Sequence, residues 1–138
     1  KQIDALVKEG RHAEAKQFAI RTYITKTQPV ADQMAAIGLR SAPIEYSLRD
    51  IYFNMGAGGI ASVIRKATGA SSDTPPFKAI ANFMATHTQA DLLQDLFNAR
   101  ARHYADIIAA NPEKAKYRAG WNNRNRAVLN NALELLQF

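Results

Sequence analysis

The middle of the chain combines a helical pattern of apolar residues with three glycines inside four positions. The apolar residues recur at spacings that place them on one face of a helix. They are Ile44, Leu48, Ile51, Tyr52 and Met55. Gly56, Gly58 and Gly59 follow directly. Because glycine accepts positive φ, this pattern predicts a buried central helix that ends in a turn, where the missing side chains let another chain or a sugar ring approach the backbone closely.

Two polar residues, Asp50 and Asn54, lie four positions apart on this otherwise apolar helix. Polar groups on a buried helix need hydrogen-bond partners, which a loop backbone or a ligand in a cleft can supply. For Asp50 we expect a structural role, as a cap or as the partner of a buried arginine. For Asn54 we expect contact with a ligand.

The remaining segments show helical periodicity between clear boundary signals, and none shows the alternation of a strand. The boundary signals are Gly10, Gly38, Ser41 with Pro43, Gly69, Thr88 and Asn111 with Pro112. A chain of 138 residues with 47% apolar content is long enough to bury one core. We therefore predict a single all-α domain over residues 1–138, with about seven or eight helices.

The charge balance favours polyanionic partners without selecting one. Eighteen Lys and Arg against twelve Asp and Glu give a net charge of +6. Nucleic acid, acidic lipid and bacterial wall polymers all fit such a surface, and so does a basic surface that only confers solubility. The positive charges are scattered and no recognition helix stands out, so nucleic acid is not an expected partner. No apolar run is long enough to predict a membrane span.

Few residues carry recognisable catalytic spacing. His12, His87 and His103 lack the spacing of metal ligands and the chain has no cysteine, so neither a metal nor a cofactor is expected. No phosphate loop and no Gly-x-Ser-x-Gly elbow occurs. Glu45 lies in the first turn of the central helix, where a carboxylate either complements the helix dipole or, if buried, serves as a general acid.

Several short motifs share an order along the chain. They are Asp50-x-x-x-Asn54-x-Gly56, a helix with Arg100 and Tyr104, the Asn111-Pro112 turn and Gly120-Trp121-x-x-Arg124. Together they resemble the C-terminal portion of glycoside hydrolase family 108, the lysozyme-like muramidases of bacteria and phages. The resemblance implies a lysozyme-like fold, with this chain as the C-terminal part of a larger protein. It also implies hydrolysis of the β-1,4 bond between N-acetylmuramic acid and N-acetylglucosamine in peptidoglycan.

The resemblance further implies a secreted or periplasm-acting antibacterial protein, either a bacterial effector or a phage lysin. Its partner would be peptidoglycan, with an immunity or inhibitor protein as a second partner if the chain is part of a toxin. One family feature is missing, because the catalytic glutamate of the family lies in a Glu-Gly-Gly motif and the nearest string here is Glu9-Gly10-Arg11. We therefore expect either a general acid that precedes Lys1, or a non-catalytic peptidoglycan-binding module or helical adaptor. The chain alone should bind peptidoglycan and hydrolyse it poorly.

The same motifs supply the candidate substrate-binding residues. Asn54, Asn123 and Arg124 can donate hydrogen bonds. The resemblance implies that Tyr104 also contacts the substrate. Trp121 serves either as a platform for a sugar ring or as a core anchor. Arg100 pairs either with a ligand carboxylate or with Asp50 inside the fold.

Trp121 and Arg124 are three positions apart and share one helical face. We therefore hypothesise that they line one cleft with Asn54. Gly120 precedes the tryptophan in a helical stretch. Since glycine costs about 1 kcal/mol in a helix, we expect a kink or a close approach there.

Overall fold

The computed structural model describes residues 2–8 and 10–137. Seven α-helices and one 3-10 helix make up the fold, and no strand occurs in these two ranges. The helices are α1 (Gln2–Lys8), α2 (His12–Lys26), α3 (Gln28–Ala36), α4 (Ala42–Thr68), α5 (Pro76–Met84), α6 (Gln89–Ala110), the 3-10 helix (Pro112–Tyr117) and α7 (Arg118–Leu136). The predicted all-α class is confirmed.

Helix α4 consists of two helical segments that meet at a kink in the glycine stretch, so the predicted break with positive φ occurs at Gly56, although the helix resumes after it. Within α4, which is described throughout, only Gly56 leaves helical geometry, with φ 73° and ψ −173°. This kink bends the helix and the helical hydrogen bonds resume after it. Apart from the short α1 and the 3-10 helix, six described helices have nine or more residues, and these six are fewer than the seven or eight expected.

A second glycine at the kink is explained by packing. A Cβ placed on Gly59 would lie 2.3 Å from the Cβ of Met55. The close approach expected in this segment is therefore made by a side chain of the same helix.

Local hydrogen bonds form at three of the predicted helix boundaries. Ser41 caps α4, with its hydroxyl accepting from the Ile44 amide at 3.2 Å. At the start of α6, the Asp91 amide donates to the Thr88 hydroxyl and the Thr88 amide donates to the Asp91 carboxylate, forming a capping box. Gly69 ends α4 in the left-handed conformation. These three boundary predictions are confirmed.

Helix α4 lies at the centre of the fold and packs against α3, α5, α6 and α7. The core consists of aliphatic side chains that are almost completely removed from solvent. Its most buried members include Ile44, Leu48, Ile51, Val63, Ile64, Ile80, Leu92, Leu93 and Leu96. Tyr52 and Met55, which were predicted on the same face, are only partly buried. This arrangement brings the kink of α4 between α6 and α7.

Candidate functional site

On α4, before the kink, one buried carboxylate forms ion pairs with arginines from two other helices. Asp50 on α4 is 2% exposed. The Nη1 of Arg100 on α6 donates to its Oδ2 at 2.8 Å. From α7, the Nε of Arg124 donates to its Oδ1 at 3.0 Å, and the Nη2 of the same guanidinium donates there as well. Of the two alternatives open for Arg100, the structure contains the pair with Asp50.

Arg100 is itself 1% exposed and lies beneath the surface. Its Nε donates to the hydroxyl of Tyr104 at 3.0 Å. Its Nη2 is buried and has no hydrogen-bond partner within the described ranges. A buried guanidinium is tolerated only when its charge is paired, so the Asp50 carboxylate is what permits an arginine at this depth.

Arg124 links the buried carboxylate to the surface, because 55% of its side chain is exposed. The pKa of Arg124 is raised from its ordinary value, chiefly by its hydrogen bond to Asp50. Nearby, burial raises the pKa of Tyr23 to about 12, and the negative charge of Asp50 adds to that effect. Both groups therefore keep their protons at neutral pH.

Above this ion pair lies a cleft of about 490 Å³. It forms where the kink of α4 meets α6 and α7. Its lining combines polar, aromatic and aliphatic side chains. They are Asn54, Met55, His103, Tyr104, Ile107, Trp121 and Arg124. The structure thus brings together Asn54, Trp121 and Arg124, as the shared-cleft hypothesis expects, and adds Tyr104.

Two stacked aromatic rings, those of Tyr104 and Trp121, line one side of the cleft, and a third ring stacks on Trp121 next to it. The ring of Trp121 lies 4.8 Å from that of Tyr104, with 22° between their planes. The ring of Tyr117 also lies 5.6 Å from that of Trp121, with 26° between their planes. Trp121 is half-buried, whereas Tyr117 is 47% exposed. The tryptophan is therefore the middle ring of an aromatic stack that reaches the surface.

Two polar side chains complete the lining. The Nδ2 of Asn54 donates to the backbone oxygen of Asp50 at 2.8 Å, which fixes the amide and leaves its oxygen free to accept. The pKa of His103 is lowered, first by burial and then by the charge of Lys66, while Asp106 opposes the shift. The cleft therefore offers an amide, an imidazole and a guanidinium beside the aromatic rings.

Sequence reasoning missed His103 as a cleft residue and Tyr117 as the ring that stacks on Trp121 beside the cleft. Tyr117 lies four positions before Trp121, and His103 lies three after Arg100. Both spacings place side chains next to each other on a helix, so the signal was present in the sequence.

Other candidates lie elsewhere. Asn123 is exposed on α7 and does not line the cleft. Glu45 is 41% exposed and its Oε2 pairs with the Nε of Arg49 at 3.1 Å, so it lacks the burial that a general acid needs. The catalytic role considered for Glu45 therefore has no structural support. The Glu9 of the Glu-Gly-Arg string lies outside the described residues.

Gly120 also departs from expectation. It lies in the first turn of α7, and a Cβ there would meet no other atom of the described chain within 4 Å. Neither a kink nor a close approach explains this glycine, so that expectation is wrong.

No group of three or more metal-ligating side chains lies close enough to hold an ion in the described part of the chain. Within the same part, every helix is too short or too polar to cross a membrane. Comparison of the chain with protein-family models, curated proteins and solved structures found no match.

Proposed function

We propose that this chain binds a peptidoglycan glycan strand in the cleft, as the substrate-holding part of a lysozyme-like muramidase. The proposal begins from the motif resemblance described above. Its support is that Asn54, Trp121 and Arg124, which come from separate motifs, line one cleft.

The observation that carries the proposal is an aromatic surface beside an amide and a guanidinium. Sugar rings stack their apolar faces on aromatic side chains. Acetamido and hydroxyl groups suit the Asn54 amide, and a lactyl or peptide carboxylate suits the exposed part of Arg124. N-acetylmuramic acid carries a sugar ring, an acetamido group and a lactyl carboxylate. It is therefore the sugar that can contact the aromatic rings, the amide and the guanidinium together.

The cleft supports binding more directly than hydrolysis. Glycoside hydrolysis needs a carboxylic acid that donates a proton to the leaving oxygen. The lining contains no Asp or Glu among the described residues. The nearby carboxylate, Asp50, already accepts guanidinium hydrogen bonds on both oxygens. Cleavage of the β-1,4 bond would therefore use an acid from outside this lining.

Sedimentation with purified insoluble peptidoglycan tests the proposal. Tyr117→Ala removes a ring of the stack, and Phe53→Ala is its control because the two side chains are 47% and 46% exposed. Since one aromatic contact of average strength contributes about 0.7 to 1.4 kcal/mol, Tyr117→Ala should weaken binding about three- to tenfold. Phe53→Ala should change it less than about twofold.

Release of reducing sugars in the same samples separates binding from cleavage. We expect retention on peptidoglycan with little release by these 138 residues. Absence of retention would show that the proposal is wrong. Equal losses in the two variants would place binding elsewhere on the surface. Rapid release would show that this chain hydrolyses peptidoglycan without an external acid.

A further inference from the structure

Beyond the cleft, the end of α4 and the middle of α6 border a second, shallow and open depression of about 480 Å³. Its charged lining consists of Arg65, Lys66, Arg102 and Asp106. We call it the basic groove. It continues past Arg65 and Lys66 into a neighbouring depression that includes Ser62 and Ser72.

The two arginines of the basic groove are held by neutral groups. The Nε and Nη2 of Arg65 donate to the backbone oxygen of Thr74 at 3.3 and 3.2 Å. The Nη2 of Arg102 donates to the backbone oxygen of Lys66 at 3.3 Å. A carbonyl oxygen orients a guanidinium without cancelling its charge. Both arginines are therefore positioned while their positive charge stays available to a ligand.

The third cation, Lys66, pairs with an exposed carboxylate. The Nζ of Lys66 lies 3.6 Å from the Oδ2 of Asp106, whose side chain is 69% exposed. It also donates to the Ser62 hydroxyl at 3.1 Å. Exposed ion pairs contribute little, so an anionic ligand can replace Asp106. With three cations and one carboxylate, the groove carries a net charge of +2.

We propose that the basic groove binds a flexible polymer of alditol phosphates, with successive phosphodiesters contacting Arg65, Lys66 and Arg102. Several oriented cations along one groove suit repeated anions, and Ser62 and Ser72 offer hydroxyls to the alditol units. No aromatic residue lines the basic groove in the described chain. Nucleic-acid surfaces for single strands use such rings for base stacking, so a polymer without bases is the better fit. This proposal does not depend on glycan binding in the cleft.

Titration calorimetry with poly(glycerol phosphate) of defined length tests it. The variant is Arg65→Gln with Arg102→Gln. Its matched control, Arg21→Gln with Arg40→Gln, removes the same charge from exposed positions on other parts of the fold. We expect about tenfold weaker binding in the first variant and less than about twofold in the control. The slope of log Kd against log salt should also fall by about one to two in the first variant only.

Other results would overturn the proposal. Equal losses in both double variants would show that overall charge, not the basic groove, attracts the polymer. Tighter binding of a DNA duplex with the same number of phosphates, lost in the same variant, would make the groove a nucleic-acid surface.

Arg65 also holds the loop at Thr74, so the double variant needs a check on its folding by circular dichroism. If it does not fold, Arg102→Gln replaces it, since this side chain is on the surface. That single change must weaken poly(glycerol phosphate) binding about threefold, and an unchanged Kd would show that the proposal is wrong.

Discussion

Arg100 and Asp50 lie fifty positions apart in the sequence and form an ion pair that is buried on both sides, with 2.8 Å between Nη1 and Oδ2. The pair connects α6 to α4 at the level of the kink. Arg124, on α7, forms an ion pair with the same carboxylate. The cleft therefore rests on a charged junction between the three helices that line it.

Asp50→Ala should be strongly destabilising, because it leaves the Arg100 guanidinium buried without its counter-charge. Breaking a buried pair from one side costs about 3 to 5 kcal/mol. Urea denaturation followed by circular dichroism measures this loss. Arg124→Gln is the comparison, and its cost should be about 1 kcal/mol or less because that side chain is 55% exposed. Similar costs for the two variants would contradict the central role of the buried pair.

Asn54→Ala should separate binding from stability. The side chain is exposed and its one hydrogen bond in the fold goes to the Asp50 backbone, so the change should cost about 0.5 to 1.5 kcal/mol. Retention on peptidoglycan should fall about fivefold or more if the amide contacts the sugar, since a lost hydrogen bond leaves its partner unpaired. Wild-type retention by this variant would remove Asn54 from the site.

The kink of α4 should depend on Gly56 and not on its neighbour Gly58. At φ 73° and ψ −173°, Gly56 has a conformation that other residues adopt only with strain. Gly56→Ala should cost about 1 to 3 kcal/mol, although its new methyl group meets no described atom within 4 Å. Gly58→Ala, within the helix and equally uncrowded, should stabilise the protein by about 0.5 to 1 kcal/mol. Thermal unfolding of both variants tests the contrast, and changes of the same sign would refute it.

His103 should make folding stability fall in mild acid. Its pKa is lowered from 6.5 in the folded protein, by burial and by Lys66, with Asp106 acting in the opposite direction. The unfolded chain therefore takes up this proton first as the pH falls through 6.5, and stability declines until the lower pKa of the folded state is passed.

Urea denaturation at about pH 7 and about pH 5 measures the effect, and His103→Gln should reduce the difference between the two. Lys66→Gln removes one cause and leaves burial, so it should reduce the difference by less. The same pH dependence in wild type and in His103→Gln would exclude this histidine as the source.

Local signals were sufficient for much of the fold. Ser41, Thr88 and Gly69 act through hydrogen bonds within their own turn, which a sequence displays directly. The return to helical geometry after Gly56 was not visible in the same way. Residues beyond the kink, such as Ile60 and Val63, pack into the same core as those before it, and this tertiary packing favours a second helical segment after Gly56.

The site was predictable in part for a similar reason. The shared face of Trp121 and Arg124 follows from a spacing of three on α7. Asn123 precedes Arg124 directly, and adjacent helical residues diverge by about 100°, which carries its side chain away from the cleft. Arg100 and Asp50 lie in distant segments of the sequence. Their residue types allow an ion pair, but the sequence does not show whether Arg100 pairs with Asp50 or with a ligand.

Trp121 is the only tryptophan in the chain, and it stands in the aromatic side of the cleft. Indole fluorescence responds to water at the ring and to nearby groups, so a sugar bound in the cleft beside this ring should alter the emission of the unlabelled protein. The basic groove is lined by other residues. A polymer bound only there should leave the emission spectrum unchanged. The single indole is thus an intrinsic optical reporter that distinguishes occupation of one surface from occupation of the other.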